Sequence, residues 1–168
     1  MNTDDRDAES RADEEAYLRE AHSRLGTFVK HAEQALMAAK SAVLRPFDLT
    51  VPQYAALMAI RYLPGRSATQ LARITGVTQQ TMAATLDILD SRGVIERHTS
   101  TVHAKVRTTH LTADGARLVD VADQHVRVVE QRLTDALSSA EAEQFRALST
   151  RVTEALRGDP SGRTSGDE

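Results

Sequence analysis

The 168-residue chain contains no cysteine, which excludes disulfides, cysteine-ligated zinc, thiol catalysis and thiol-based redox sensing. It also lacks tryptophan, its aromatics amount to 4%, and its glycines and prolines number 8 and 4. That scarcity of ring and turn residues argues against a β-sandwich or barrel. No uncharged apolar run approaches the ~20 residues of a membrane-spanning helix. The opening stretch MNTDDRDAES is acidic, unlike a signal peptide or mitochondrial leader, so a cytoplasmic protein is expected. Glycine-rich phosphate loops, Gly-x-Ser-x-Gly and His-Glu-x-x-His are all missing. His22 and His31 are nine residues apart and His125 is remote, so neither metal nor cofactor is expected, and no enzymatic constellation emerges.

What is present suits a single soluble domain: 40% apolar residues, 27% charged residues and a mean hydropathy of -0.40. The formal charge of -3 weighs against a nucleic-acid partner when taken whole. It is unevenly spread. Residues 1–20 hold eight acids against three bases, whereas residues 61–110 hold seven bases against Asp87, Asp90 and Glu96. A basic middle between acidic ends points to an anionic partner for that middle.

Residues 1–12 and 158–168 are polar and aperiodic and read as disordered tails. From Asp13 to about Leu44, apolar residues recur every three or four positions, predicting one long amphipathic helix that Pro46 ends. Thr50 caps a second helix with Pro52 in its first turn, and Leu63-Pro64-Gly65 stops it. Ser67 and Gln70 form a capping box for a helix carrying Leu71, Ala72 and Ile74 on one side and ending at Gly76. Thr78 caps the next, which buries Met82, Leu86 and Leu89 and ends at Gly93. Two short helices around Thr75-Gly76-Val77 make a helix-turn-helix pattern.

The β-branched runs 94–99 and 106–111 follow directly and predict a hairpin with a polar tip at 100–105. Helix-turn-helix plus hairpin is a winged helix, in which the second helix enters the major groove and the wing lies along the backbone. Thr112 then caps a helix through Leu118, Val121, Ala122, His125, Val128, Val129, Leu133 and Leu137. Ser138 and Glu141 form another capping box, with Phe145, Leu148, Val152 and Leu156 at helical spacing beyond it. Glu141 and Glu143 read as capping and first-turn charge rather than a catalytic pair. The fold class is therefore mainly α with a small β-hairpin wing. The lobe spans 46–112, and long helices over 13–45 and 113–157 flank it. These flanks carry more apolar stripe than one winged helix buries. A homodimer interlocking through Leu18, Leu25, Val121, Val129, Phe145, Leu148 and Val152 is the simplest remedy, an intramolecular bundle the other.

The segments Leu49-Thr50-Val51-Pro52-Gln53-Tyr54, Leu71-Ala72, Leu89-Asp90-Ser91-Arg92-Gly93-Val94-Ile95-Glu96-Arg97 and Leu111-Thr112-Ala113-Asp114-Gly115 resemble the MarR family of transcription regulators, in order and spacing over about residues 15–157. The resemblance implies a homodimeric winged-helix repressor on a pseudo-palindromic operator in double-stranded DNA, modulated by a small phenolic or lipophilic effector. It implies base reading by Thr78, Gln79, Gln80, Ala83 and Ala84. Glutamine can bind adenine bidentately, and alanine can touch a thymine methyl. It implies phosphate or wing contacts by Arg73, Thr81, Arg92, Arg97, His103, Lys105 and Arg107. It further implies an effector pocket near Phe28, His31, Tyr54 and Met58, although such a cluster also fits plain core.

The chain departs from the family pattern twice. His103 and Lys105 stand where the wing usually carries Asp-x-Arg, and lysine lacks the planar guanidinium fork. Ala84 stands where a basic residue is common, and no Lys or Arg lies between Thr78 and Asp90. A second reading therefore stays open: a winged-helix module for protein interaction or small-molecule binding, with weak or lost DNA binding.

Overall fold

A computed structural model describes residues 3–99 and 107–157. It contains seven helices and one hairpin among them: α1 (Thr3–Ser23), α2 (Leu25–Leu44), a 3-10 turn (Arg45–Phe47), α3 (Val51–Tyr62), α4 (Ala68–Thr75), α5 (Gln79–Ser91), β1 (Ile95–Thr99), β2 (Arg107–Leu111), α6 (Ala113–Asp135) and α7 (Ser139–Arg157). The fold is mainly helical with a two-stranded antiparallel sheet, as expected. No helix of the described residues is long and apolar enough to cross a membrane.

The chain divides into two compact units, residues 1–126 and 127–168. The core of the first is built on α3, α4 and α5. Leu44, Ala56, Leu57, Leu71, Leu86 and Leu89 are fully enclosed there, joined by Ile60, Met82, Ile95, Val119 and Ala122. In the second unit Val129 and Ala142 are buried. Phe145, Leu148, Val152 and Leu156 along α7 remain exposed.

Local chemistry sets the helix ends. Thr50 accepts the Gln53 N–H, and the Gln53 side chain accepts the Thr50 N–H, so the predicted cap is a full capping box. Ser67 and Gln70 make the same reciprocal pair. Ser138 and Glu141 repeat it at α7. At the wing, Ile95 pairs Leu111 and Thr99 pairs Arg107, which fixes the register. The free edge of β2 is used as well: Thr109, itself buried, donates to the Arg66 carbonyl, and its own carbonyl accepts the Gly65 N–H, both at 3.0 Å.

Two expectations are corrected. The long first helix is two helices, broken at Arg24, whose backbone is extended (φ -97, ψ 120). Ser23 Oγ donates to the Glu20 carbonyl and the Arg24 guanidinium grips the Glu20 carboxylate, so side chains terminate the last turn of α1. Gly26, a weak helix former, follows immediately. Residues 3–12, expected as part of a disordered tail, belong to α1; their Ala, Glu and Arg content favours a helix without any apolar stripe. Ile74 is 44% exposed, on an eight-residue α4 whose buried residues are Leu71 and Ala72.

The sequence leaves the inner face of α6 open. Its buried stripe is Val119, Ala122, Val126 and Val129, while Val121, Val128 and Leu133 are exposed. His125 is exposed too, with its ring 5.1 Å from Phe47. Two adjacent apolar stripes run along this helix at the same period, and periodicity alone cannot say which one faces the core.

Candidate nucleic-acid interface

The helix-turn-helix is assembled by three local devices. Gly76 ends α4 in the left-handed conformation (φ 73), which a side chain would strain. Thr78 then caps α5, its Oγ1 accepting the Thr81 N–H at 3.1 Å. Met82, Thr85, Leu86 and Leu89 anchor α5 in the core. Gln79, Gln80, Thr81, Ala83 and Ala84 are left outward and exposed. Thr81 Oγ1 lies 2.8 Å from Thr78 Oγ1, so these hydroxyls share a hydrogen bond. Thr78, Gln79 and Arg73 line one open cleft of about 610 Å³, together with Thr69, Gln70, Ala72 and Val77.

Beside α5 stands the wing. His98 Nε2 is 3.2 Å from Glu96 Oε1, and the His98 and His110 rings are 5.6 Å apart. Arg107 is exposed at the start of β2. The predicted wing residues His103 and Lys105 lie outside the described residues. Behind the wing, Thr112 Oγ1 donates to the Gly93 carbonyl (2.8 Å) and accepts the Gly115 N–H (3.1 Å), so the Leu111-Thr112-x-x-Gly115 motif joins hairpin to α6.

Comparison with known proteins places this geometry. The MarR family model matches residues 47–105, from the turn before α3 to the wing tip. The HTH-type transcriptional repressor Rv2887 of Mycobacterium tuberculosis is 30% identical over 124 residues, covering 74% of this chain and 89% of the relative. The chain belongs to the MarR family.

Its helix-turn-helix and wing are thus those of a family of transcription regulators. Among solved structures, the repressor CouR bound to a 23-mer DNA duplex superposes with a TM-score of 0.73 at 25% identity, over 79% of this chain and 94% of CouR. Rv2887 in complex with salicylic acid superposes with a TM-score of 0.60 at 29% identity, over 77% and 96%.

Two arginines of this MarR-family chain that were expected at phosphate make contacts within the protein. Arg92 donates to the carbonyls of Asp48 (2.5 Å) and Phe47 (3.1 Å), clamping the end of α5 to the turn before α3. Asp48 takes a left-handed backbone (φ 51) there. Arg97, only 13% exposed, pairs with Asp87 at 2.8 Å and Asp90 at 3.5 Å on α5. Sequence reasoning missed both roles, since the partners lie 44 and 10 residues away and no periodicity links them. Arg73 and Arg107 are exposed, as a phosphate contact requires.

The four predicted effector residues are divided between two environments. Phe28 and His31 are exposed on α2, with the Phe28 ring 6.4 Å from His22. Tyr54 is buried, its hydroxyl donating to Asp123 Oδ1 at 2.6 Å, and Met58 packs half-buried on the core. Of the predicted dimer residues, Leu18, Leu25, Val121, Phe145, Leu148 and Val152 are exposed. Val129 is 6% exposed in the single chain and has little surface left for a second copy.

Proposed function

We propose that this protein is a cytoplasmic, homodimeric repressor that binds a pseudo-palindromic operator and releases it when a small aromatic or lipophilic effector binds. The observation that carries the reading is the outward face of α5. Gln79, Gln80, Ala83 and Ala84 stand exposed on a helix whose other face is locked in the core. Amides and methyls of this kind read adenine edges and thymine methyls, and Thr78 contributes a hydroxyl beside them. Arg73, Thr81, Arg107, His103 and Lys105 supply the backbone contacts that set the register on the duplex. Residues 46–112 form the DNA-binding lobe.

The helices over 13–45 and 113–157 form the dimer. In the single chain Leu25 is 80% exposed and Leu156 81%, and Phe28, Phe145, Leu148 and Val152 are about half exposed. A second copy would remove this surface from water, at about 25 cal/mol per Å². The DNA complex of CouR and the salicylic acid complex of Rv2887 support the operator and effector parts of the reading. The effector enters beside Phe28, His31, Tyr54 and Met58 when the two copies assemble.

The test is fluorescence anisotropy of the full chain against DNA upstream of its own gene, across salt concentrations and a panel of phenolic and lipophilic acids. Specific binding is expected to weaken steeply with salt through counterion release. Gln79→Ala with Gln80→Ala is expected to lose about 1–3 kcal/mol of discrimination per base pair read, with an unchanged salt slope. The absence of any lysine or arginine on α5 favours a second reading, a winged-helix module that binds a protein or small molecule. That reading prevails if no upstream fragment is bound.

A further inference from the structure

We propose that Arg97 serves DNA binding from within the protein: from the wing it cancels the charge of Asp87 and Asp90 on the recognition helix, without itself touching phosphate. The proposal rests on the operator reading above.

The recognition helix is acidic. α5 contains Asp87 and Asp90 and neither lysine nor arginine. Asp87 lies seven residues after Gln80 and four after Ala83, so it shares their outward face. Its side chain is 70% exposed and that of Asp90 38%. Left alone, two carboxylates on this face would meet a phosphate polyanion, and like-charge juxtaposition at an interface is strongly unfavourable.

Arg97 answers both. It is the third residue of β1, ten positions from Asp87 in sequence, and its guanidinium lies across the two carboxylates. Nη2 donates to Asp87 Oδ1 at 2.8 Å, while Nε faces Asp90 Oδ2 at 3.5 Å. That Nε is shielded from solvent and makes no hydrogen bond among the described residues. A guanidinium so enclosed, with its fork turned to carboxylates, has little left to offer a phosphate. The same contact joins the first wing strand to the recognition helix.

The two roles, cancelling charge on the protein and binding phosphate on the DNA, separate in a rescue experiment. The full chain is titrated by anisotropy, across salt concentrations, on a fragment that the wild type binds. Arg97→Gln is expected to weaken binding about tenfold. Adding Asp87→Asn and Asp90→Asn to that variant is expected to restore affinity to within about threefold, at the wild-type salt slope. Asp87→Asn with Asp90→Asn alone leaves the arginine uncompensated beside DNA and is expected to tighten binding. This pair also decides the matter if Arg97→Gln fails to fold, as judged by circular dichroism.

The proposal is overturned if the triple variant stays weak with a slope shallower by about 0.9 per lost contact, which would put Arg97 on a phosphate. It is equally overturned if Arg97→Gln binds as the wild type does, or if the asparagine pair weakens binding. A wild-type chain that binds no fragment sinks the operator reading and this role together. Wild-type binding that the Arg97 variant leaves intact sinks this role alone.

Discussion

The carbonyl oxygen of Val94 lies 1.8 Å from the point where Gly115 would carry a Cβ. The first turn of α6 is seated directly on the backbone that enters the wing, and Thr112 N–H donates to the same Val94 oxygen at 3.2 Å. The obstacle is backbone, which cannot swing aside as a long side chain would.

Gly115→Ala is therefore expected to destabilise the protein by about 3 kcal/mol through overpacking. Helix propensity alone predicts the opposite sign, a gain of about 1 kcal/mol for replacing glycine in a helix. Urea denaturation separates the two, and a stabilised variant would show that α6 moves off Val94 at no cost.

Tyr54 and Asp123 make the second tertiary joint, a 2.6 Å hydrogen bond from the phenol on α3 to a half-buried carboxylate on α6. One side of the same two helices is also held by Arg61 and Asp120 at 2.5 Å. Tyr54→Phe keeps the buried ring and removes the hydroxyl alone. A loss of about 1.5–3 kcal/mol is expected, the scale of a hydrogen bond to a charged acceptor. The urea midpoint should fall with an unchanged m-value, because the surface exposed on unfolding stays the same.

These joints also mark the limit of what the residues announce by themselves. The caps at Thr50, Ser67, Thr78, Thr112 and Ser138 were legible because donor and acceptor lie within three residues of one another. Gly76 and Gly93 were legible for the same reason, each ending a helix with a positive φ. Arg92 and Arg97 were not: an arginine near a predicted interface looks the same whether it faces a phosphate, a carbonyl or an aspartate. The face of α6 was ambiguous because its valines fit two stripes, and only burial in the folded chain selects one. Of the candidate interface, the outward residues of α5 were legible and the ion pairs that set its charge were not.

At the start of α7, Ser138 holds the Glu141 carboxyl below the usual carboxylate range, through its side-chain hydroxyl first and its backbone N–H second. A carboxylate with a depressed folded pKa contributes stability that is complete above its ordinary pKa. That contribution is lost as pH falls through the lower folded value. Ser138→Ala removes the hydroxyl that bonds Glu141 and accepts the Glu141 N–H. An NMR titration is expected to show Glu141 moving up toward the ordinary range, with the first turn of α7 exchanging its amides faster. A Glu141 titration unmoved by the substitution would mean that the serine is not what depresses it.

The charge of the amino-terminal stretch bears on the operator reading proposed above. Residues 1–12 hold Asp4, Asp5, Asp7 and Glu9 against Arg6 and Arg11, a net negative stretch in a chain that must approach a polyanion. Among the described residues the buried core begins at Leu44. Deleting residues 1–12 is expected to leave the thermal midpoint in place and operator affinity unchanged or higher, with the largest gain at low salt, where screening is weakest. Anisotropy at two salt concentrations measures this directly. A fall in affinity would instead give this stretch of α1 a positive role, and sedimentation of the truncated chain would show whether that role is dimer assembly. Affinity that rises equally at both salt concentrations would point to a steric rather than an electrostatic obstacle.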